Sequence, residues 1–299
     1  MSTQLTSPRQ AFAATALDLV ASQDNVAVVF AEISGQYLEQ AQRRHPDRII
    51  NVGIREQLLV SVGAGLALTG MRPIVHTFAA FLVERAFEQI KLDFAHQGVG
   101  GVLVGTAGSF DVSSGGRSHQ APGDIALIDT LPEVTIHAPS TVTEVDAVLR
   151  RAVADTGLHY VRVVEQTNTD SHPETGLHVI RRGGGVIVIA LGPVLEDVLA
   201  ATAGDDDATV LYAHTVRPFD AATLQSVAGP DVVLVEPWLV GTSAYAVSSA
   251  LRDRPHRLLA LGVRRSPELR RYGSDRDHIR AHGLDAAGLR EAITRFAGP

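Results

Sequence analysis

A chain of 299 residues, 45% hydrophobic and 20% charged, is long enough for two packed cores and has the composition of a soluble globular protein. A formal net charge of −7 disfavours a nucleic-acid partner, and the absence of cysteine excludes disulfides, thiolate metal sites and a cysteine nucleophile. No apolar run reaches the roughly 18 residues of a membrane span. The first residues lack the basic-then-apolar pattern of a secretory signal, so a cytoplasmic location is expected.

From Val26 onward, apolar β-branched runs alternate with helical patterns, as in a parallel sheet covered by helices. Strands are expected at Val26–Phe30, Arg48–Val52, Pro73–Thr77, Gly101–Gly105, Val134–His137 and Tyr160–Val164. Helices are expected near Gln36–Arg44, Arg55–Leu68, Phe81–Gln97, Asp124–Thr130 and Val142–Asp155. Thr141, three residues before Glu144, gives the last of these a capping start. A polar stretch from Gln166 to Gly185 interrupts the pattern and marks a domain boundary. Alternation resumes at Val186–Ala190, Thr209–Tyr212, Val232–Glu236 and Arg257–Gly262. The expected fold class is α/β with two domains, a parallel-sheet domain over 1–172 and a smaller α/β domain over 183–299.

The stretch Asn51-Val52-Gly53-Ile54-Arg55-Glu56-Gln57 carries the strongest chemical signal. It places Glu56 in the first turn of a helix whose next residues, Leu58 to Thr69, are small or apolar. A buried carboxylate costs several kcal/mol when charged and unpaired, and a site that keeps one usually uses it for proton chemistry. The ordinary alternative is a helix-terminal Glu complementing the macrodipole. Phe78 and Phe81, three apart after a strand, read either as core residues or as a stacking surface. The loop from Gly105 to Gln120 is rich in Gly and Ser, and a loop this long inside a domain is usually functional.

Gly53-Ile54-Arg55-Glu56-Gln57, then Gly63 and Gly65, then Thr77-Phe78-Ala79-Ala80-Phe81, then Ser118-His119-Gln120 follow the order and near spacing of the transketolase family of thiamine-diphosphate enzymes. Thr215 to Asp220, Val235-Glu236 and the run from Tyr272-Gly273 to Gly283-Leu284-Asp285 resemble its C-terminal domain. The resemblance covers nearly the whole chain but only the C-terminal half of a full transketolase. It implies a pyrimidine-binding domain of the thiamine-diphosphate-binding fold followed by a transketolase C-terminal domain. Glu56 would be the carboxyl group held against the aminopyrimidine ring nitrogen. Phe81 and Phe78 would pack on that ring, with Ile54 and Glu32 as further cofactor contacts. Glu32 stands where the family has the Asp of D-L-x-x-S. His119 would face the reacting end of the substrate. The C-terminal domain would serve assembly and supply no catalytic residue.

The family's G-D-G motif for diphosphate and Mg²⁺ is missing: neither Gly123-Asp124 nor Gly204-Asp205 is followed by Gly. No Walker A loop replaces it. The resemblance therefore implies an N-terminal, diphosphate-binding partner subunit, two copies of each chain, and no metal ligand in this one. Helix Leu58–Thr69, with Gly63 and Gly65, is the expected interface element. The family's phosphate-reading Ser, His and Arg correspond to Gln36, Ala107 and Glu165, and Arg117 enters the loop before Ser118. Gln36, Glu165 and Arg117 are thus candidate substrate contacts, and an acceptor other than a conventional sugar phosphate is expected. The implied reaction moves a two-carbon unit from a ketose or 2-oxo acid to a carbonyl. The rivals are a 2-oxoacid dehydrogenase beta subunit and a non-catalytic subunit that kept the fold. Arg85 and Asp93 read as ion pairs flanking Lys91, the only lysine, and His278 with His282 as a surface pair.

Overall fold

Val26–Phe30 (β1) is buried at every residue, as a strand covered on both faces must be. The computed structural model, which describes residues 7–227 and 229–298, continues with Ile49–Asn51 (β2), Arg72–Phe78 (β3), Gly101–Thr106 (β4), Val134–His137 (β5) and Leu158–Val163 (β6). Then come His178–Arg181 (β7), Ile187–Leu191 (β8), Thr209–Ala213 (β9), Thr215–Arg217 (β10), Asp231–Leu239 (β11) and Arg257–Val263 (β12). They form two sheets, ordered β10-β5-β6-β4-β3-β1-β2 and β12-β11-β8-β9-β7. Among the strand pairs of the described residues, only β10–β5 and β7–β9 are antiparallel.

The second sheet begins inside the expected linker, with β7. The sequence pattern did not anticipate β10, which crosses back and extends the first sheet. A chain of buried side chains holds that seam: Thr215 Oγ1 lies 3.0 Å from His137 Nδ1, and His137 Nε2 lies 3.2 Å from His159 Nδ1.

Pro8–Ser22 (α1) precedes the first strand and had no counterpart in the sequence pattern. Ser7 caps it, its Oγ accepting from Gln10 N at 3.3 Å, and Pro8 opens its first turn. Gly35–Gln42 (α2) and Glu56–Leu68 (α3) follow β1 and β2. The expected helix over Phe81–Gln97 is realised as wide π-helical turns at Ala80–Arg85 and Ile90–His96 around the short α segment Phe87–Gln89. Such turns often accompany functional sites.

The two glycines of α3 do different things. A Cβ on Gly63 would sit 2.4 Å from Val75 Cγ2, so glycine lets the helix lie close on β3. A Cβ on Gly65 would meet nothing within 4 Å. Gly63→Ala is expected to destabilise the chain by roughly 1–3 kcal/mol through overpacking. Gly65→Ala should stabilise the isolated chain by up to about 1 kcal/mol through helix propensity. Urea unfolding of both variants checks this, and equal effects would contradict the packing.

Candidate active site

The parallel strands deliver their C-terminal ends to one edge, where ligand sites of open α/β sheets form. Asn51 ends β2 there, and its Oδ1 accepts from Gly53 N at 2.9 Å. Gly53 turns the chain at φ +70°, and α3 starts three residues later with Glu56. Glu56 is only 1% exposed. Its Oε2 accepts from Arg85 Nη1 at 2.6 Å, and the Arg85 guanidinium carbon lies 4.1 Å from the centre of the Phe81 ring. Arg85 therefore does not pair within its own helix as expected, because the buried carboxylate across the edge claims it. Asp93 accepts from Ser61 Oγ of α3 at 2.6 Å.

Three aromatic side chains from β3, the first π turn and the following loop meet here. Phe81 lies 5.8 Å from Phe78 and 5.2 Å from His119, and Phe78 lies 6.3 Å from His119, between ring centres. The His119 imidazole rests on bare backbone, since a Cβ on Gly115 would come within 2.8 Å of its Cγ. Its Nδ1 is 2.9 Å from Ser118 Oγ. The structure thus brings Glu56, Phe78, Phe81 and His119 together.

It does not join the other candidates to them by any hydrogen bond or ring contact. Glu32, at φ +59°, takes an N–H from Asn51 Nδ2 at 3.2 Å. Gln36, Ile54 and Glu165 are exposed. Arg117 is exposed but donates to Gln120 O at 2.7 Å and lies 3.6 Å from Glu84, so it is tied to protein groups.

The sequence reading missed Arg9. In α1 it donates from Nε to Ser34 Oγ at 3.0 Å, with its guanidinium carbon 5.9 Å from the Phe78 ring centre. Its two terminal nitrogens have no partner among the described residues. Ser34 lies 2.9 Å from His76 Nε2, and His76 Nδ1 lies 3.0 Å from the Val104 carbonyl. That carbonyl can only accept, so Nδ1 carries the proton and Ser34 donates to Nε2. Burial pushes His76 down to about 3, which keeps it neutral. The overlooked signal was a cation in a helix's first turn, where the macrodipole disfavours it.

The second sheet grips the loop that carries His119. Ser109 Oγ donates to Pro237 O, and Leu239 N donates to Pro122 O at 2.8 Å. Gly116, at φ +67°, lies under Tyr272, and buried Gln120 donates to Arg271 O at 3.2 Å. His278 and His282 are not a surface pair. Both are buried, stacked 4.3 and 5.5 Å from Phe110, because their helix covers this loop. Beneath, Arg162 donates to Asp124 at 2.8 Å and lies 5.6 Å from the Trp238 ring centre, while Trp238 Nε1 donates to Glu236 at 2.8 Å. The second domain therefore shapes the site loop even though no residue of it joins the aromatic cluster.

Residues 6–169 match the family model described as "Transketolase, pyrimidine binding domain". The chain belongs to that family. It is 48% identical over 294 residues to an uncharacterized 33.6 kDa protein in the fasciation locus of Rhodococcoides fascians, covering 96% of this chain and 94% of that one. It is 27% identical over 263 residues to the 6-deoxy-6-sulfo-D-fructose transketolase subunit SqwH of Clostridium sp. (strain MSTE9), covering 83% and 82%. The 1-deoxy-D-xylulose-5-phosphate synthase of Leptothrix cholodnii is 30% identical over 287 residues, 90% of this chain but only 44% of that enzyme. This chain thus spans about half the length of such synthases. A solved structure described as "Split gene transketolase, inactive beta4 tetramer" superposes with a TM-score of 0.85 at 25% identity, covering 98% of this chain and 99% of that one. These relatives confirm the α/β fold, a pyrimidine-binding domain followed by a transketolase C-terminal domain, within a thiamine-diphosphate-dependent, transketolase-like family.

The residues fit the pyrimidine half of that cofactor: a buried carboxylate able to accept an N–H, beside an aromatic face already holding a planar cation. Among the described residues, no group of three or more His, Cys, Asp or Glu is placed to hold a metal ion.

Glu236 anchors the loop grip and titrates unusually. Burial pushes its carboxyl from 4.5 up to about 7. The folded state therefore binds this proton more tightly than the unfolded chain, and the stability tied to Glu236 falls as pH rises between those two values. Glu236→Gln is expected to be more stable than the native chain at pH 8 by on the order of 3 kcal/mol. Near pH 4.5 the two should agree. Urea unfolding at both pH values checks it; a gap that does not change with pH would contradict the shift.

Proposed function

We propose that this chain is the C-terminal subunit of a split transketolase-like enzyme that transfers a two-carbon unit from a ketose or 2-oxo acid to a carbonyl acceptor. The observation that carries this reading is the Glu56 carboxylate, buried beside the Phe81 ring. Thiamine diphosphate supplies the nucleophilic carbon for such transfers. Glu56 accepts and returns the proton at the aminopyrimidine ring nitrogen, and Phe81 and Phe78 hold the ring flat. Half-buried His119 faces the reacting carbonyl, where an imidazole N–H stabilises developing negative charge.

Diphosphate and Mg²⁺ fall to an N-terminal partner subunit, since this chain has no Gly-Asp-Gly motif. The SqwH relative, named as a subunit and matched over 82% of its length, supports a divided enzyme. Two copies of each chain make the proposed assembly, located in the cytoplasm. Ile54, Leu58 and Leu68 are 71%, 44% and 62% exposed, and with outward-facing Gly65 they offer an apolar face for contact. The beta4 assembly of the split-gene neighbour supports contacts between such subunits.

The acceptor we propose is not a conventional sugar phosphate, as in a specialised biosynthetic pathway. Glu165 and Asp111 form an acidic pair at the end of β6, where Asp111 Oδ2 accepts from Glu165 N at 2.9 Å. Burial pushes Asp111 up to about 7, so it is partly neutral, and the exposed Glu165 carboxylate is the group there that repels a phosphate dianion. Arg9, 5.9 Å from the Phe78 ring centre, would offer its two terminal nitrogens to one anionic group.

One assay tests both parts. In the reconstituted complex, Glu56→Gln should lower two-carbon transfer roughly 10²–10⁴-fold with folding intact. Near-normal turnover would remove Glu56 from the chemistry. Use of ribose 5-phosphate by the native complex with kcat/KM above roughly 10⁴ M⁻¹s⁻¹ would contradict the acceptor assignment.

A further inference from the structure

Arg85 already makes the two contacts that the proposed function assigns to the aminopyrimidine. Its guanidinium is a planar, delocalised cation. It lies with Cζ 4.1 Å from the Phe81 ring centre and gives an N–H to Glu56 Oε2 at 2.6 Å. Both contacts draw on scarce surface. The Glu56 side chain is 2% exposed, which leaves no room for a second ring beside the guanidinium. The other ring neighbours of Phe81 are Phe78 and His119, 5.8 and 5.2 Å away.

The arginine also has a way out. Its side chain is 40% exposed, while its backbone is held by Gln57 Nε2 donating to Arg85 O at 3.2 Å. Only the side chain has to move. Glu84 and Arg117, themselves 3.6 Å apart, are both partly exposed.

We propose that Arg85 is the chain's own stand-in for the aminopyrimidine. It neutralises Glu56 and covers Phe81 in the free subunit, and it must swing to water before the cofactor ring can seat. Arg85 thereby determines how tightly the pyrimidine half of the site binds its ligand. It also lets the subunit fold before meeting a partner, because a buried carboxylate costs far more unpaired than paired. This rests on the reading of Glu56 and Phe81 as the pyrimidine seat.

The test uses the full chain without a partner and a neutral probe, 4-amino-5-hydroxymethyl-2-methylpyrimidine, which carries the ring without the charged tail. Ligand-observed NMR titration gives its affinity for the native chain, Arg85→Met and Arg85→Lys. Arg85→Met should bind at least about tenfold more tightly, since no charged hydrogen bond has to be broken first. Without probe, the same variant should melt at a lower temperature, and the probe should raise its Tm more than that of the native chain. Arg85→Lys keeps a charge for Glu56 but cannot lie flat on Phe81, so it protects folding and should bind with intermediate affinity. Probe binding by the native chain as tight as by both variants would overturn the proposal. Binding by none of the three, with all folded, would overturn the pyrimidine seat itself and the proposal with it.

Discussion

Burial of the Glu56 carboxylate is the constraint on which the rest of this site depends. An unpaired charge there would cost several kcal/mol, a large part of a domain's net stability. The fold meets that cost with Arg85, 2.6 Å away. Getting the two groups to meet requires the Gly53 turn at the end of β2, the close seat of α3 on β3 at Gly63, and the wide turn of Ala80–Arg85. Each feature is local. Together they place a charged hydrogen bond at the open edge of a sheet, against an aromatic face.

The second domain matters through the loop rather than through the cluster. Glu236, Trp238 and Arg162 form a buried stack under Ser109 and Asp124, and Tyr272 closes over Gly116 from outside. The strand β10 ties the same domain to the far edge of the first sheet through Thr215 and His137. His119 is therefore held by a loop clamped from both domains. A domain that supplies no member of the aromatic cluster still fixes where the imidazole points.

Much of this could be read from the chain. Strands buried on both faces appear as continuous apolar runs, so the sheet was visible from β1 onward. Glu56, Phe78, Phe81 and His119 stood out through the order and spacing of the motifs shared with transketolases, and they do converge. Other parts had no signal. Helix α1 buries Ala11, Phe12, Ala13, Thr15 and Ala16 in close succession, so it shows no clear polar face. Arg9 stayed hidden with it. Periodicity gave His278 and His282 a shared face but not what covers it, which is Phe110 from the other domain. Arg85 and Arg117 were ambiguous because a charge pattern along one helix or loop does not reveal a partner across the sheet edge. The return of β10 to the first sheet depends on a contact between distant segments that only the folded chain displays.

In the proposed enzyme this chain carries one half of a divided cofactor site. Thiamine diphosphate can be titrated calorimetrically into this chain, into its co-purified partner and into the mixture. Tight, Mg²⁺-dependent binding is expected only in the mixture. Tight, metal-dependent binding to this chain alone would contradict it.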